Sequence, residues 1–422
     1  MFIRRCCRSR ASRRESGQAL IMALVVLLFA LPVGLYFIDG VRVMVRSAVA
    51  ERQQKTASGM ANAVATDYFR QFSQNAYDGH YDTDSLSRPQ TFYSAGYSTV
   101  TFIPDAANHS LYLKASGSYG SAAQPKTTRV LEAMIQFYSD LVQYGTMVNG
   151  AFTVSASNVN YFGGFYTNGN LTVTGANVRF NGGPVVVRGN LSGAASVVID
   201  GDLYYSGTSA GSVTVLGNRY NFIPSVNWPA LDFAYYDAHY TYKTSVNQTI
   251  VFNSTGTFTV VGGATYAIPA QGAIIYAENA NLTIRGIVSG RVTAVAGAAT
   301  AGNCASAAGR IIVNDNLYYV GASSIAASAN ASFAALARNC VTFTKTGANL
   351  LVAGVFFAEQ GTVNMRLTGS AGYRFWLYGV RTQGISVSGF SGGISLNYDA
   401  NLRSFQPPGL PERALLVNWK LR

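Results

Sequence analysis

Asp200 and Asp202 stand two apart in DGDLYYSG, a spacing that in an extended strand puts both carboxyl groups on one face. Glycoside hydrolysis uses two carboxylates across a cleft, and a lyase uses a base beside metal-binding acids, so this pair raises the question of an enzyme. Asp315 holds a similar place in NDNLYYVG, Asn314 to Gly321, a near-repeat far downstream. Asp78, Asp82 and Asp84 in NAYDGHYDTDS offer the hard oxygens that calcium takes, the alternative being a hydrated loop. The three histidines, His80, His109 and His239, are scattered, and no Ser/His/Asp or Cys/His arrangement can be assembled from the sequence. No phosphate-cradling glycine loop precedes a helix. The acids at Asp200, Asp202 and Asp315 therefore read as paired turn residues, and neither turnover nor a metal or cofactor is expected.

Cys304 and Cys340 lie in a stretch dominated by Ala, Ser, Gly and Asn, with no CxxC spacing and no neighbouring His to suggest zinc. They read as one disulfide of an oxidising compartment, or else as two buried thiols. Cys6 and Cys7 belong instead to an Arg-rich tail.

The elements that must position these residues are mostly strands. Forty-three glycines, 26 tyrosines and 23 phenylalanines with only 12% charged residues describe a chain of turns and strand formers. Its formal charge is +12, to which Arg4, Arg5, Arg8, Arg10, Arg13 and Arg14 contribute before the first apolar segment. No Lys/Arg run with interleaved aromatics marks a nucleic-acid groove, so nucleic acid is not an expected partner.

From Ala19 to Ile38 the chain reads ALIMALVVLLFALPVGLYFI, twenty residues without a charge, the length a helix needs to cross a bilayer. Leu20 and Phe37 bracket this membrane anchor, and Pro32 removes one hydrogen bond within it. The arginines before the span outnumber Arg42, Arg46, Arg52 and Lys55 after it, which favours a cytoplasmic tail and an exported remainder. An apolar stripe continues through Ala57, Met60, Ala61, Val64 and Tyr68, extending the helix beyond the membrane. Small residues let helices approach closely, so Ala57 and Ala61 are the expected helix-association positions.

After the helix, alternating runs near Ser98–Ile103, Ser110–Tyr119 and Lys126–Phe137 predict a short antiparallel meander. From about Met147 the pattern becomes short strands punctuated by Gly, Asn and Asp. NLTVTG, NLTIRG and NLLVAG, starting at Asn170, Asn281 and Asn349, are three copies of one phrase. Such spacing predicts a parallel β-solenoid in which stacked coils bury what one coil cannot, the rival being an antiparallel sandwich. NDNLYYVG and DGDLYYSG then become equivalent rungs: a corner, an inward Leu, and two Tyr on opposite faces. NRYNFIPSVNWPALDFAYYDAHYTY interrupts the pattern. It is read as an excursion packed on the flank, with a sugar-binding platform of Trp228, Tyr235, Tyr236 and Tyr240 as the alternative.

The run ESGQALIMALVVLLFALPVGLYFIDGVRVMVRSAVAERQQKTASGMANAVA resembles the N-terminal segment of tight-adherence (Tad) pilus assembly proteins and of pilin-like proteins more widely. Gly17, Pro32 and Asp39 match its basic leader boundary, internal proline and following acid. Prepilin processing after Gly17 would leave Glu at the fifth position, where this chain has Met22. The second half, with IPAQGAIIYAENANLTIRGIVSGRVTAVAG, GRIIVNDNLYY and the closing LNYDANLRSFQPPGLPERALLVNWK, resembles a bacterial solenoid-like domain without assigned chemistry. Tyr398, Asp399, Pro407, Pro408, Pro411 and Trp419 match its close.

The expected organisation is mainly β: a basic leader over 1–18, a transmembrane and pilin-like helix over 19–75, a meander over 76–140, and a solenoid over 141–422. Within the last, an aromatic excursion falls at about 218–254 and a C-terminal cap at about 397–422. The expected function is a structural component or accessory of a pilus- or pseudopilus-like surface assembly. The chain would be single-pass in the inner membrane, its C-terminal domain periplasmic or on the cell surface, with assembly proteins, the membrane and further copies of itself as partners. A carbohydrate-binding or carbohydrate-active solenoid, with glycan as partner, is the alternative.

Overall fold

The computed structural model describes residues 12–74, 88–105, 110–155, 157–223, 228–302, 304, 307–321, 330–345, 350–366, 375–378, 385–388, 394–403 and 405–421. One helix, α1 (Ser12–Gln74), runs unbroken through Pro32. Its side chains from Gln18 to Ala50 are exposed, whereas Ala57, Met60, Ala61, Val64 and Ala65 are buried.

The buried stripe lies on an antiparallel sheet of β1 (Arg88–Tyr93), β2 (Gly96–Asp105), β3 (Ser110–Gly120) and β4 (Pro125–Tyr138). Alternation decides which face meets the helix: Leu111, Leu113 and Ala115 of β3 and Leu131, Ala133, Ile135 and Phe137 of β4 point into a core shared with Ala61, Val64 and Ala65. Tyr68 meets Phe102 edge-on at 5.2 Å between ring centroids. A fifth strand, Arg413–Leu421, pairs antiparallel with β4. The closing segment expected to cap the last coil therefore divides. Its final strand returns to the meander sheet because RALLVNWKL is a nine-residue strand former and β4 offers an unpaired edge.

The remaining sheets are mostly parallel. One wall stacks Thr146–Val148, Phe165–Thr167, Val185–Val187, Leu203–Tyr205 and Arg219–Tyr220, with Phe165, Val185 and Leu203 in one register column. A second wall stacks Tyr242–Thr244, Ala273–Ala277, Gly290–Ala296, Ala331–Ala337 and Val355–Ala358. Both face a 17-stranded sheet across one apolar core. Leu171, Leu282 and Leu350, from the three Asn-Leu phrases, all lie in that sheet and are fully buried. The two LYY phrases share their in-out pattern, with Leu203 and Leu317 buried and Tyr204 and Tyr318 turned outward, but they occupy different sheets.

The order of strands in space differs from their order in the chain. Ile394–Asn397 pairs parallel with Asn160–Phe162, placing Ser395 opposite Asn160. The later group of strands thus abuts the beginning of the earlier group, and residues 221–223 and 228–241 carry the chain between the two ends of the stack. They do so along the outer faces of the two walls. Phe222 meets Tyr204 at 5.3 Å, Trp228 meets Phe357 at 6.1 Å, the Leu231 amide donates to Glu359 Oε1 at 2.8 Å, and Tyr236 meets Tyr276 at 6.5 Å. Parallel strands resume at Tyr242 and Gln248, so the excursion is shorter than the expected 218–254: these two strands find partners in Ala273–Ala277 and Leu282–Val288.

The two ends of the stack are closed differently. At one, the antiparallel strands Thr257–Val260 and Thr265–Ala267 fold over the core, burying Phe258 against Tyr266 and Tyr242. At the other, Arg219 donates from Nη2 to the Val213 carbonyl at 2.9 Å and from Nη1 to Ser209 Oγ at 3.3 Å. A charge laid on an open strand edge discourages pairing with another chain.

Candidate functional site

The carboxylates that opened the enzyme question are engaged separately. Asp200 takes a two-pronged ion pair from Arg179, with Nη2 to Oδ1 at 2.9 Å and Nε to Oδ2 at 3.0 Å. Asp202 Oδ1 accepts from the Asn218 amide at 2.8 Å. This continues a corner ladder in which Asn170 Oδ1 accepts from the Asn190 amide and Asn190 Oδ1 from the Thr208 amide, each at 2.8 Å. A corner side chain that binds the next corner's backbone fixes the stacking register. Asp315 pairs with Lys345 Nζ at 2.8 Å, and that hydrogen bond holds its carboxyl below the ordinary range. Substituting Asp202 by Ala should therefore weaken the stack by about 1 kcal/mol, the usual worth of such a hydrogen bond. Chemical denaturation is the measurement, and cleavage of a glycan that vanishes in D202A would contradict the assignment.

Of the aromatic residues proposed as an alternative sugar platform, Tyr235 and Tyr236 meet edge-on at 5.5 Å, and each of the others has a different setting. Trp228 packs on Phe357, and Tyr236 is fully buried with its hydroxyl donating to the Gly409 carbonyl at 2.8 Å. Tyr235 stacks on His239 at 4.3 Å, at the C-terminal end of α2 (Phe233–Ala238), and Tyr240 is exposed. Asp78, His80, Asp82, Asp84 and His109 lie outside the described residues. Among the described residues, no three His, Cys, Asp or Glu side chains come together as a metal site.

Cys304 and Cys340 are joined as a disulfide, with Cα atoms 5.5 Å apart. Gly17 lies within α1. Leu20 and Phe37 are 68% and 71% exposed, and the window around them has a mean hydropathy of 2.7 with none of it buried by the rest of the chain. Such a surface is stable in a bilayer and costly in water. Ala57 and Ala61 do not belong to it. Both are fully buried beneath the chain's own sheet, where an added Cβ on Gly117 would sit 2.0 Å from the Ala57 carbonyl oxygen. The small-residue stripe serves intramolecular docking, so these two positions are corrected as association sites.

A surface the sequence reading missed runs along the C-terminal strand. Leu415, Val417, Trp419 and Leu421 are each between 41% and 50% exposed, but the register slips by one residue between Leu416 and Asn418, so Leu415 lies opposite Gln136 whereas Trp419 and Leu421 lie opposite Ala133 and Leu131. Leu415 borders a cavity of about 420 Å³ whose lining also includes Gln136, Phe137, Tyr144 and Pro184.

No family model and no curated protein matches the chain. Among solved structures, the crystal structure of the competence-associated pilin ComZ from Thermus thermophilus is similar at 12% identity and a TM-score of 0.34. That alignment covers 88% of this chain and 97% of that one.

Proposed function

We propose that this chain is a membrane-anchored structural component or accessory of a pilus- or pseudopilus-like surface assembly. The observation that carries the reading is α1: one continuous helix, bare and apolar where it would span a bilayer, then buried against its own sheet. An anchor joined in this way holds the body at a fixed distance from the membrane. The parallel walls behind the sheet form a β-solenoid, a rigid wall suited to contact and spacing. The Arg-rich tail stays in the cytoplasm, and the body is exported to the periplasm or cell surface of a single-pass inner-membrane protein. Function is through association with assembly proteins or further copies, not turnover, since the acids at Asp200, Asp202 and Asp315 are spent on packing.

The test is topological and then biochemical. Protease added to intact spheroplasts should digest the body while spheroplast membranes retain the helix. Shearing cells should release the protein with surface fibres. Full protection of the body, or a protein absent from every fibre or envelope complex, would contradict the proposal.

A further inference from the structure

Residues 398–411 cross from the stack to the meander sheet, and nearly every contact they make satisfies both sides. The Tyr398 ring fills the space that Gly163 leaves by lacking a Cβ, and its hydroxyl donates to the Val142 carbonyl at 2.7 Å. Leu402 and Leu410 are buried in the outer core. The Gln406 carbonyl accepts from Arg291 Nε at 2.7 Å, the Pro408 carbonyl from Thr293 Oγ1, and the Gly409 carbonyl from Tyr236 Oη.

Buried polar atoms stay without a partner at Gln406, whose side-chain Nε2 and Oε1 are both unsatisfied, and at Asp399. Asp399 is 1% exposed. Oδ1 accepts from the Asn401 amide at 3.0 Å, and Oδ2 is buried without a hydrogen-bond partner. The titratable group that faces it among the described residues is Tyr319, from Arg310–Tyr319, which is fully buried. A phenol held neutral by burial gives no countercharge, and an ionised carboxylate in such a place is costly.

We propose that Asp399 makes the docking of residues 398–411 sensitive to pH, closed most tightly when its carboxyl is protonated and loosened as it ionises. Burial raises the carboxyl from its ordinary 3.8 to about 6. The sign follows from linkage. Below about pH 4 the carboxyl is protonated whether the segment is docked or released. Between about 4 and 6 only the released segment ionises freely, so docking weakens as pH rises, and above about 6 the loss is complete. A separation of about two pH units corresponds to about a hundredfold change in the docking equilibrium. The consequence extends to the C-terminal strand, which this segment delivers to β4.

Hydrogen-exchange protection factors, measured on the full chain in detergent at pH 4.5 and pH 7, test this. Protection at amides of 398–411 should fall by about 25-fold at the higher pH, since part of the loss has already occurred at pH 4.5, while protection at Val185–Val187 stays constant. Asp399→Asn keeps an oxygen for the Asn401 amide and carries no charge, so its protection should be the same at both values. Equal wild-type protection at both pH values would overturn the proposal, as would an Asn variant that loses protection in parallel with wild type. The wild-type comparison alone decides if the variant does not fold.

Discussion

Replacing Cys304 and Cys340 together by Ser is expected to lower the stability of the stack by about 4 kcal/mol, the chain-entropy estimate for a loop of this length. The bridge spans 36 residues and encloses two successive strands, Arg310–Tyr319 and Ala331–Ala337, from different sheets. Cys340 is fully buried at the start of a strand that pairs with Arg310–Tyr319, and Arg310 Nη1 donates to the Cys304 carbonyl at 2.9 Å. Losing the bond therefore frees a loop and loosens the corner at which Arg310–Tyr319 pairs with Cys340–Phe343. The measurement is denaturant unfolding of the double-Ser variant beside the oxidised wild type. A midpoint unchanged by the exchange, or by reductant, would show that packing alone sets the corner.

Much of the stack was legible because its rules are local. Asn, Asp and Gly mark corners, and a Leu after the corner points inward, so the phrases at Asn170, Asn281 and Asn349 reveal their common sheet without any knowledge of partners. The ion pair between Arg179 and Asp200 was also within reach, since its members are separated by 21 residues, close to one circuit of the chain. What stayed hidden was decided by distant pairing. No local signal says that Ile394–Asn397 will add to Asn160–Phe162, nor that the chain must then run back along the walls through Trp228 and Tyr236. The closing LLVNWKL shows a strand, but its edge partner, β4, lies far earlier in the chain.

The stripe at Ala57 and Ala61 shows why a helix face cannot name its own partner. Small residues announce close approach and leave open whether another helix or the same chain approaches. Gly117 settles it. It stands in the middle of β3 opposite Arg129, directly beneath the helix, and has no positive backbone angle to explain it. Its reason is space, because an added Cβ would lie 2.0 Å from the Ala57 carbonyl oxygen and 2.6 Å from the Ala61 nitrogen. Both are backbone atoms that no rotamer change can move, so even alanine must push α1 off the sheet. Overpacking of this kind costs about 1–3 kcal/mol, and Gly117→Val should exceed that range because its branches need more room than a methyl group. The expected result is release of α1 from the sheet while the stack stays folded: new protease cleavage between Ala57 and Tyr68, and an unchanged disulfide. Ala57→Gly in the Gly117→Ala background gives the Cβ no relief, since the clashing atom is the carbonyl oxygen. Recovery of protease resistance in that double variant would show that the side-chain methyl of Ala57, not the helix backbone, sets the distance.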